Sequence, residues 1–387
     1  TMPEFIGIRY QTKGLKIASA LIIFIFLVPY TASVYKGLGY LFEEIFGIPT
    51  IAVLLLMAGL TALYLFLGGF VAATLADFIQ GLIMLAGVVL MVFYVMKHPQ
   101  VGGIQNAVEK LGMIDPKLVQ PIGPPGFITI FSLVVLTSLG SWGLPQMVHK
   151  FYTIKSEKDI FCAKWVTTIF AAVIATGAYF TGAISRLVLD NKMPESVDMV
   201  IPQVIARTLP NWVSAVILVL VLSASMSTLA SLVLASSSAI ALDLLKGTLK
   251  PDIEKKKLMQ IMRYLCILFV VLSFLMAIKD SPIVSLASLS WGAVSGSLLA
   301  PYLWGLYWKR TTQSGVWAGI ATALSITIGG GIYFGLNSPV IPVVGSIAIV
   351  LPIFVVPAVS ILTEKIEEEH LRYIFNERDI VSLGEKS

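Results

Sequence analysis

The chain has 387 residues, of which 57% are apolar and only 13% charged, with a formal net charge of +5 and a mean hydropathy of +0.88. A soluble globular chain carries about 25% charged residues, so these figures exclude a disordered or fibrous protein and argue strongly against a soluble enzyme. Two cysteines make no disulfide framework, and three histidines, none spaced with a Cys or another His, give no metal site to argue for.

About 20 apolar residues cross the hydrocarbon of a bilayer as a helix. Ten such runs, A to J, are predicted near 16–42, 50–67, 70–96, 126–147, 163–187, 211–243, 259–279, 283–307, 314–335 and 340–362. The fold class is therefore all-α and polytopic: a membrane domain over 1–362 and a C-terminal tail over 363–387. No signal peptide is evident, since span A is too long and no small-residue cleavage pattern follows it. Sorted by alternate loops, nineteen of the 27 Lys and Arg fall on the side that holds both ends and seven on the other. The positive-inside rule then predicts a plasma-membrane protein with both ends in the cytoplasm. The basic balance needs no nucleic acid, and no cofactor is expected. In Pro121-Ile-Gly-Pro-Pro-Gly-Phe127 the prolines and glycines separate C from D, and Glu367, Glu368 and Glu369 mark the tail as a solvated helix.

Polar groups at membrane depth are costly and are functional candidates by default. Asp77, in span C, is a lone carboxylate: either a cation-pathway residue or the acceptor of a structural bond. Span D is interrupted by Gly140, Gly143 and Pro145, which predicts a helix break near mid-membrane. Such a break either lines a substrate cavity or is a plain proline kink. In span A, Lys36 can snorkel outward toward Glu43 and Glu44 or turn inward to bind an acidic substrate. Span F carries Ser223, Ser227, Thr228, Ser231 and Ser238. Of these, Ser223, Ser227, Ser231 and Ser238 fall within roughly 80° of one another at 100° per residue. Uncharged hydroxyl oxygens suit a weak site for a hard cation such as Na⁺, and small residues equally suit helix packing.

The remaining features read more simply. Ser290-Trp-Gly-Ala-Val-Ser-Gly296 in span H reads as close packing. His149 and Lys150 read as the positive interface, Arg186 and Asp190 as the outer end of span E, and Trp304 and Trp308 as interface anchors.

The chain resembles the solute sodium symporter family, whose fold is the LeuT-type inverted repeat, from Thr1 to about residue 336. The likeness rests on an ordered set of motifs. They are Met2-Pro-Glu-Phe with Arg9-Tyr10; Tyr64-Leu-Phe-Leu-Gly68-Gly69 followed by Asp77 and Gln80; Gly143-Leu-Pro-Gln146; Met226-Ser227-Thr228; and Gly305-Leu-Tyr-Trp-Lys-Arg310. The resemblance implies that Ser227 and Thr228 are sodium ligands, that Asp77 and Ser231 support ion binding, and that Gly140, Ser141 and Trp142 belong to the substrate site. Lys36, which stands where many relatives have an uncharged polar residue, is carried as a further substrate candidate. Leu65 and Val316 depart from the family pattern.

Family members have about 13 helices. By this likeness the chain lacks the first three, including the broken helix that pairs with D. Residues 114–121, 143–146 and 200–202 look most like sodium/pantothenate symporters, with proline and monocarboxylate carriers sharing much of the pattern. The function implied is Na⁺-coupled uptake of a small polar, carboxylate-bearing solute, with Na⁺, the solute and the bilayer as partners. A proton-coupled or sodium-independent carrier of the same fold, or a non-transporting solute sensor, is the alternative. No nucleophile–base pair within the spans suggests an enzyme.

Overall fold

In the computed structural model the described residues are predominantly helical. The structure describes residues 1–152 and 154–375, without the side chains of residues 64–77. The helices are α1 (Met2–Arg9), α2 (Lys13–Phe46), α3 (Thr50–Lys97), α4 (Ile104–Ile114), α5 (Phe127–Ser138), α6 (Pro145–Phe151), α7 (Glu157–Val188), α8 (Val200–Thr208), α9 (Asn211–Ser238), α10 (Lys255–Ala277), α11 (Ile283–Tyr307), α12 (Gln313–Phe334) and α13 (Ile341–Leu362); α9 runs on as a π-helical segment, Ala239–Leu249. Among the described residues, eight helices are long and apolar enough to cross a membrane, and a ninth crossing is the bent pair α5–α6. These match predicted spans A and C to J. Span B falls in α3, where Thr50–Leu63 is a shorter apolar stretch. Asp77, Leu65 and the Gly68-Gly69 motif lie outside the described residues.

Burial sorts these helices into centre and periphery. The most apolar stretch of α11 is 72% buried and that of α7 only 6%, so α11 is the axis of the bundle and α7 faces outward. Around α11 pack α2, α12 and α13, and α2 also touches α3, α9 and α10. One apolar core joins α2, α9, α10 and α11 through Leu27, Tyr35, Leu229, Phe269 and Val294. A second fills the space between the end of α3, α4, α7, α8 and the start of α9, with Val95, Ile184, Val204 and Ile217.

Two devices fix α11. Pro301 sits inside it, where proline removes a helix N–H. Two turns of backbone below are secured from α1 and the turn after it: Tyr10 donates its hydroxyl to the Pro301 carbonyl at 2.7 Å, and the buried Arg9 donates Nε to the Gly305 carbonyl at 2.9 Å and Nη2 to that of Trp308 at 3.2 Å. The motif Arg9-Tyr10 is thus a clamp on the lower end of α11. Glycine at 305 is required here, because a Cβ would stand 2.8 Å from the Tyr10 hydroxyl.

The second device is close approach. A Cβ on Gly292 would meet the Gly345 Cα at 2.9 Å, and one on Gly345 the Ser288 carbonyl at 2.6 Å. The packing expected of the small residues in span H is the α11–α13 contact, in the manner of membrane helices that meet through small side chains. Trp304 belongs to the same seam: it donates Nε1 to the Ile353 carbonyl at 2.8 Å. It ties two helices together.

Substituting Gly292→Leu should therefore lower the midpoint of thermal unfolding in detergent, since overpacking costs about 1–3 kcal/mol. Gly329→Leu, on an exposed position of α12 with open space around it, should leave the midpoint unchanged within error. Equal effects would show that the α11–α13 approach is not limiting.

Candidate functional site

The predicted break in span D is present. α5 stops at Ser138, a 3₁₀ turn covers Gly140–Gly143, and α6 begins at Pro145, with a bend of 56°. The residues dictate this. Proline at the first helical position needs no partner for the N–H it lacks. The residue before it, Leu144, is held extended at φ −85°, ψ 120°, as its clash with the proline ring requires.

A break frees backbone groups that must find partners. The Gly140 carbonyl accepts from the Ser295 hydroxyl of α11 at 2.5 Å. The Ser141 hydroxyl donates back to the Ser138 carbonyl at 2.9 Å. Both glycines are needed for the approach: a Cβ on Gly143 would stand 2.7 Å from the Ser295 Cα, and one on Gly140 3.1 Å from the Trp291 ring. Trp291, Ser295 and Leu299 follow each other at four-residue spacing and so share the face of α11 that meets the break.

Trp291 also packs edge-on to Tyr30 of α2, with ring centroids 5.4 Å apart. Its indole N–H is shielded from solvent and has no hydrogen-bond partner among the described residues. Three elements thus converge at the break: Tyr30 from α2, Gly140 from the α5–α6 turn, and Trp291 from α11. Sequence reasoning missed Tyr30 and Trp291. The signal available was weak, a tyrosine after Pro29 and a tryptophan inside a small-residue run that reads as packing. Of the break residues singled out from sequence, Gly140 is buried, Ser141 is half-buried, and Trp142 is 57% exposed.

The hydroxyl stripe lies where predicted, on α9. Ser227 and Thr228 both donate to the Ala224 carbonyl, at 3.1 and 3.0 Å, and Ser231 donates to Thr228 at 2.8 Å. A hydroxyl that spends its proton on its own helix keeps its lone pairs for something else. Residues 221–228 are all half-buried, whereas Leu229, Ala230, Leu232 and Val233 are buried, so the hydroxyls stand beside accessible space instead of inside a sealed seam. α6 packs against α9, which brings the stripe and the lower half of the broken span to the same side of the bundle.

Lys36 takes neither course expected of it. It is 3% exposed, and its Nζ donates to the Ser281 carbonyl at 2.8 Å, in the loop between α10 and α11. It does not snorkel to Glu43, which instead accepts from the Thr50 hydroxyl. Nor is its ammonium directed to the break, because a backbone carbonyl one loop away holds it. Next to this bond, Asp198 accepts from the Ile283 N–H at 3.0 Å and so caps the first turn of α11. The loop before α8, the end of α10 and the start of α11 are joined there. Arg186 and Asp190 make similar local ties, to Asn191 at 3.1 Å and from Gln100 at 2.6 Å.

A polytopic helical bundle around a broken span is the architecture of a membrane transporter. The family model "Sodium:solute symporter family" matches residues 1–322. An osmoregulated proline transporter of Bacillus subtilis (strain 168) is 30% identical over 336 residues, covering 84% of this chain and 67% of its own. A sodium/proline symporter of Staphylococcus aureus is 29% identical over 339 residues, covering 85% of this chain and 65% of its own. The chain belongs to the sodium:solute symporter family, and it spans about two thirds of the length of these curated relatives. A solved structure of a Na⁺-coupled sialic acid symporter in an outward-open state superposes with a TM-score of 0.71 at 18% identity, covering 95% of this chain and 78% of that one; this is a likeness of fold. The relatives named are proline carriers, so the expected closeness to pantothenate symporters gains no support from them.

Burial holds the Asp198 carboxyl above its ordinary range, opposed by the Ile283 N–H and by Lys36. A carboxyl raised on folding favours the folded chain below the ordinary carboxylate value. That contribution is lost as pH climbs through the window up to the raised value. Asp198→Asn, which keeps an oxygen for Ile283, should flatten this part of the pH–stability curve, followed as the melting midpoint from acid to neutral pH. Asp198→Ala should lower the midpoint throughout, and identical curves for all three proteins would remove Asp198 from the loop's stability.

Proposed function

We propose that this chain is the greater part of a secondary transporter that couples Na⁺ entry to uptake of a small polar solute, carboxylate-bearing and of the proline type that its relatives carry. The observation that supports this best is the pairing of two features on one side of the bundle. One is a half-buried row of hydroxyls whose protons are already used. The other is a broken span whose backbone meets an indole N–H without a partner among the described residues. Ser227, Thr228 and Ser231 offer lone pairs to a hard cation, and no formal charge holds that cation too tightly to leave. Asp77, from span C, is by the family likeness a further candidate to support ion binding.

The solute sits at the break, against Gly140 and Ser141. There the Trp291 N–H and the Tyr30 ring give an amphipathic carboxylate one donor and one apolar wall. Trp142 reaches the solute from the open side. Lys36 has no direct contact with it and serves the outer loop. Binding of ion and solute favours the same state, and this coupling is reciprocal. The excess of Lys and Arg on the side of α1 and the tail supports a cytoplasmic position for that face.

The Ser227→Ala/Thr228→Ala double variant of the full-length protein in proteoliposomes should raise the sodium concentration for half-maximal uptake by about tenfold or more, since a bond to a charged group is worth about 1.5–3 kcal/mol. Unchanged sodium dependence, or uptake driven by a pH gradient without sodium, would overturn the reading. Trp291→Phe should raise the solute concentration for half-maximal uptake and leave the sodium dependence nearly as it was. A loss confined to the maximal rate would place Trp291 in packing alone.

A further inference from the structure

On the side of the bundle that holds α1, the ends of α11 and α13 and the start of the tail enclose a recess of about 300 Å³. Four basic side chains line it: Lys309 and Arg310 from the turn after α11, and Lys365 and Arg372 from the tail. Among the described residues Glu368 is the single carboxylate that lines it, and Ile366 and Leu371 complete the wall. The neighbouring Glu364, Glu367 and Glu369 do not line it. Glu368 meets Arg372 at 3.8 Å with both side chains largely exposed, 82% and 76%, a contact that water screens to little value.

Arg310 is built into the recess. Its Nη2 donates to the Ile361 carbonyl at 3.1 Å and to the Thr363 carbonyl at 2.7 Å, holding the end of α13. Its Nη1 is shielded from solvent and has no partner among the described residues. The guanidinium is thereby fixed at the wall of the recess, where its permanent charge adds to that of Lys309, Lys365 and Arg372. The tail is itself anchored. Ile366 packs on the main core, the His370 ring bonds the Ile8 carbonyl at 2.9 Å, and Phe375 lies against Arg9 and Lys309 at 5.3 and 5.1 Å.

The surroundings define the kind of molecule. Tyr307 and Leu362, the last residues of α11 and α13, are 75% and 84% exposed, and Ile361 is 62% exposed. Exposed apolar side chains at the ends of spanning helices face acyl chains, so the recess lies at headgroup depth. Clustered basic residues at that depth on the cytoplasmic side attract anionic lipid.

We propose that this recess binds a phosphate-bearing anion, the headgroup of an anionic phospholipid, with Lys309, Lys365 and Arg372 as its donors and Arg310 as a fixed positive charge behind them. A bound headgroup bridges the ends of α11 and α13 to the tail and so couples the lipid composition to the α1–α11 clamp.

The full-length protein in phosphatidylcholine nanodiscs, doped with phosphatidylglycerol, is examined by native mass spectrometry for retained lipid. Phosphatidylglycerol should be retained at least about tenfold more tightly than phosphatidylcholine, and Lys309→Gln/Lys365→Gln/Arg372→Gln, which spares the Arg310 bonds, should abolish most of that preference. Displacement of phosphatidylglycerol by millimolar inorganic phosphate would uphold the phosphate site and assign it to a soluble ligand. Equal retention of the two lipids by the unaltered protein, or an undiminished preference in the triple variant, would overturn the proposal. Should the variant fail to fold, the preference of the unaltered protein and its decline with salt decide the matter alone.

Discussion

A bilayer interior offers no water to a backbone N–H or C=O, and the break in span D is answered by a specific partner. The bond from the Ser295 hydroxyl to the Gly140 carbonyl is where that constraint bears most heavily. It lets span D break at depth, and it draws the break onto α11, the most buried helix. Gly140 and Gly143 then bring backbone to within contact of α11, and Trp291 is pressed between the turn and Tyr30. The candidate solute site is a consequence of satisfying a freed carbonyl.

The same logic runs along the whole of α11. Its upper end is capped by Asp198 through Ile283, its middle holds the break, and its lower end is clamped by Arg9 and Tyr10. Its far side is bonded to α13 through glycine contacts and Trp304. A helix held at three levels by other elements is suited to act as a stator against which less buried helices move. Arg310 extends the scheme to the membrane surface by fixing the end of α13 beside the tail.

Two residues show where sequence reasoning reaches its limit. Lys36 in an apolar run implied a choice between the outer carboxylates and a substrate, because only charged groups are visible as partners in a sequence. Its actual partner is the backbone carbonyl of Ser281, some 245 positions away, and every residue has such a carbonyl. Trp304 reads as an interface anchor because tryptophan is common there, and the carbonyl of α13 that takes its N–H is not legible in the sequence. In both cases the deciding acceptor carries no residue-type signal.

The sequence by itself determined the number and placement of most spans, the break in D, the row of hydroxyls on α9, and the family. Hydrophobic runs, Gly/Pro punctuation and hydroxyl periodicity are local properties, and the bilayer enforces them one helix at a time. Only the tertiary structure decided which faces meet. Trp291 and Ser295 of α11 meet Gly140 while Tyr30 of α2 packs on Trp291, Asp198 caps a helix 85 positions away, and the basic recess is closed by a tail folding back onto α11. These depend on helix rotation and on close approach between glycines, quantities set by how side-chain volumes fill the space between helices, and no single stretch of sequence contains them.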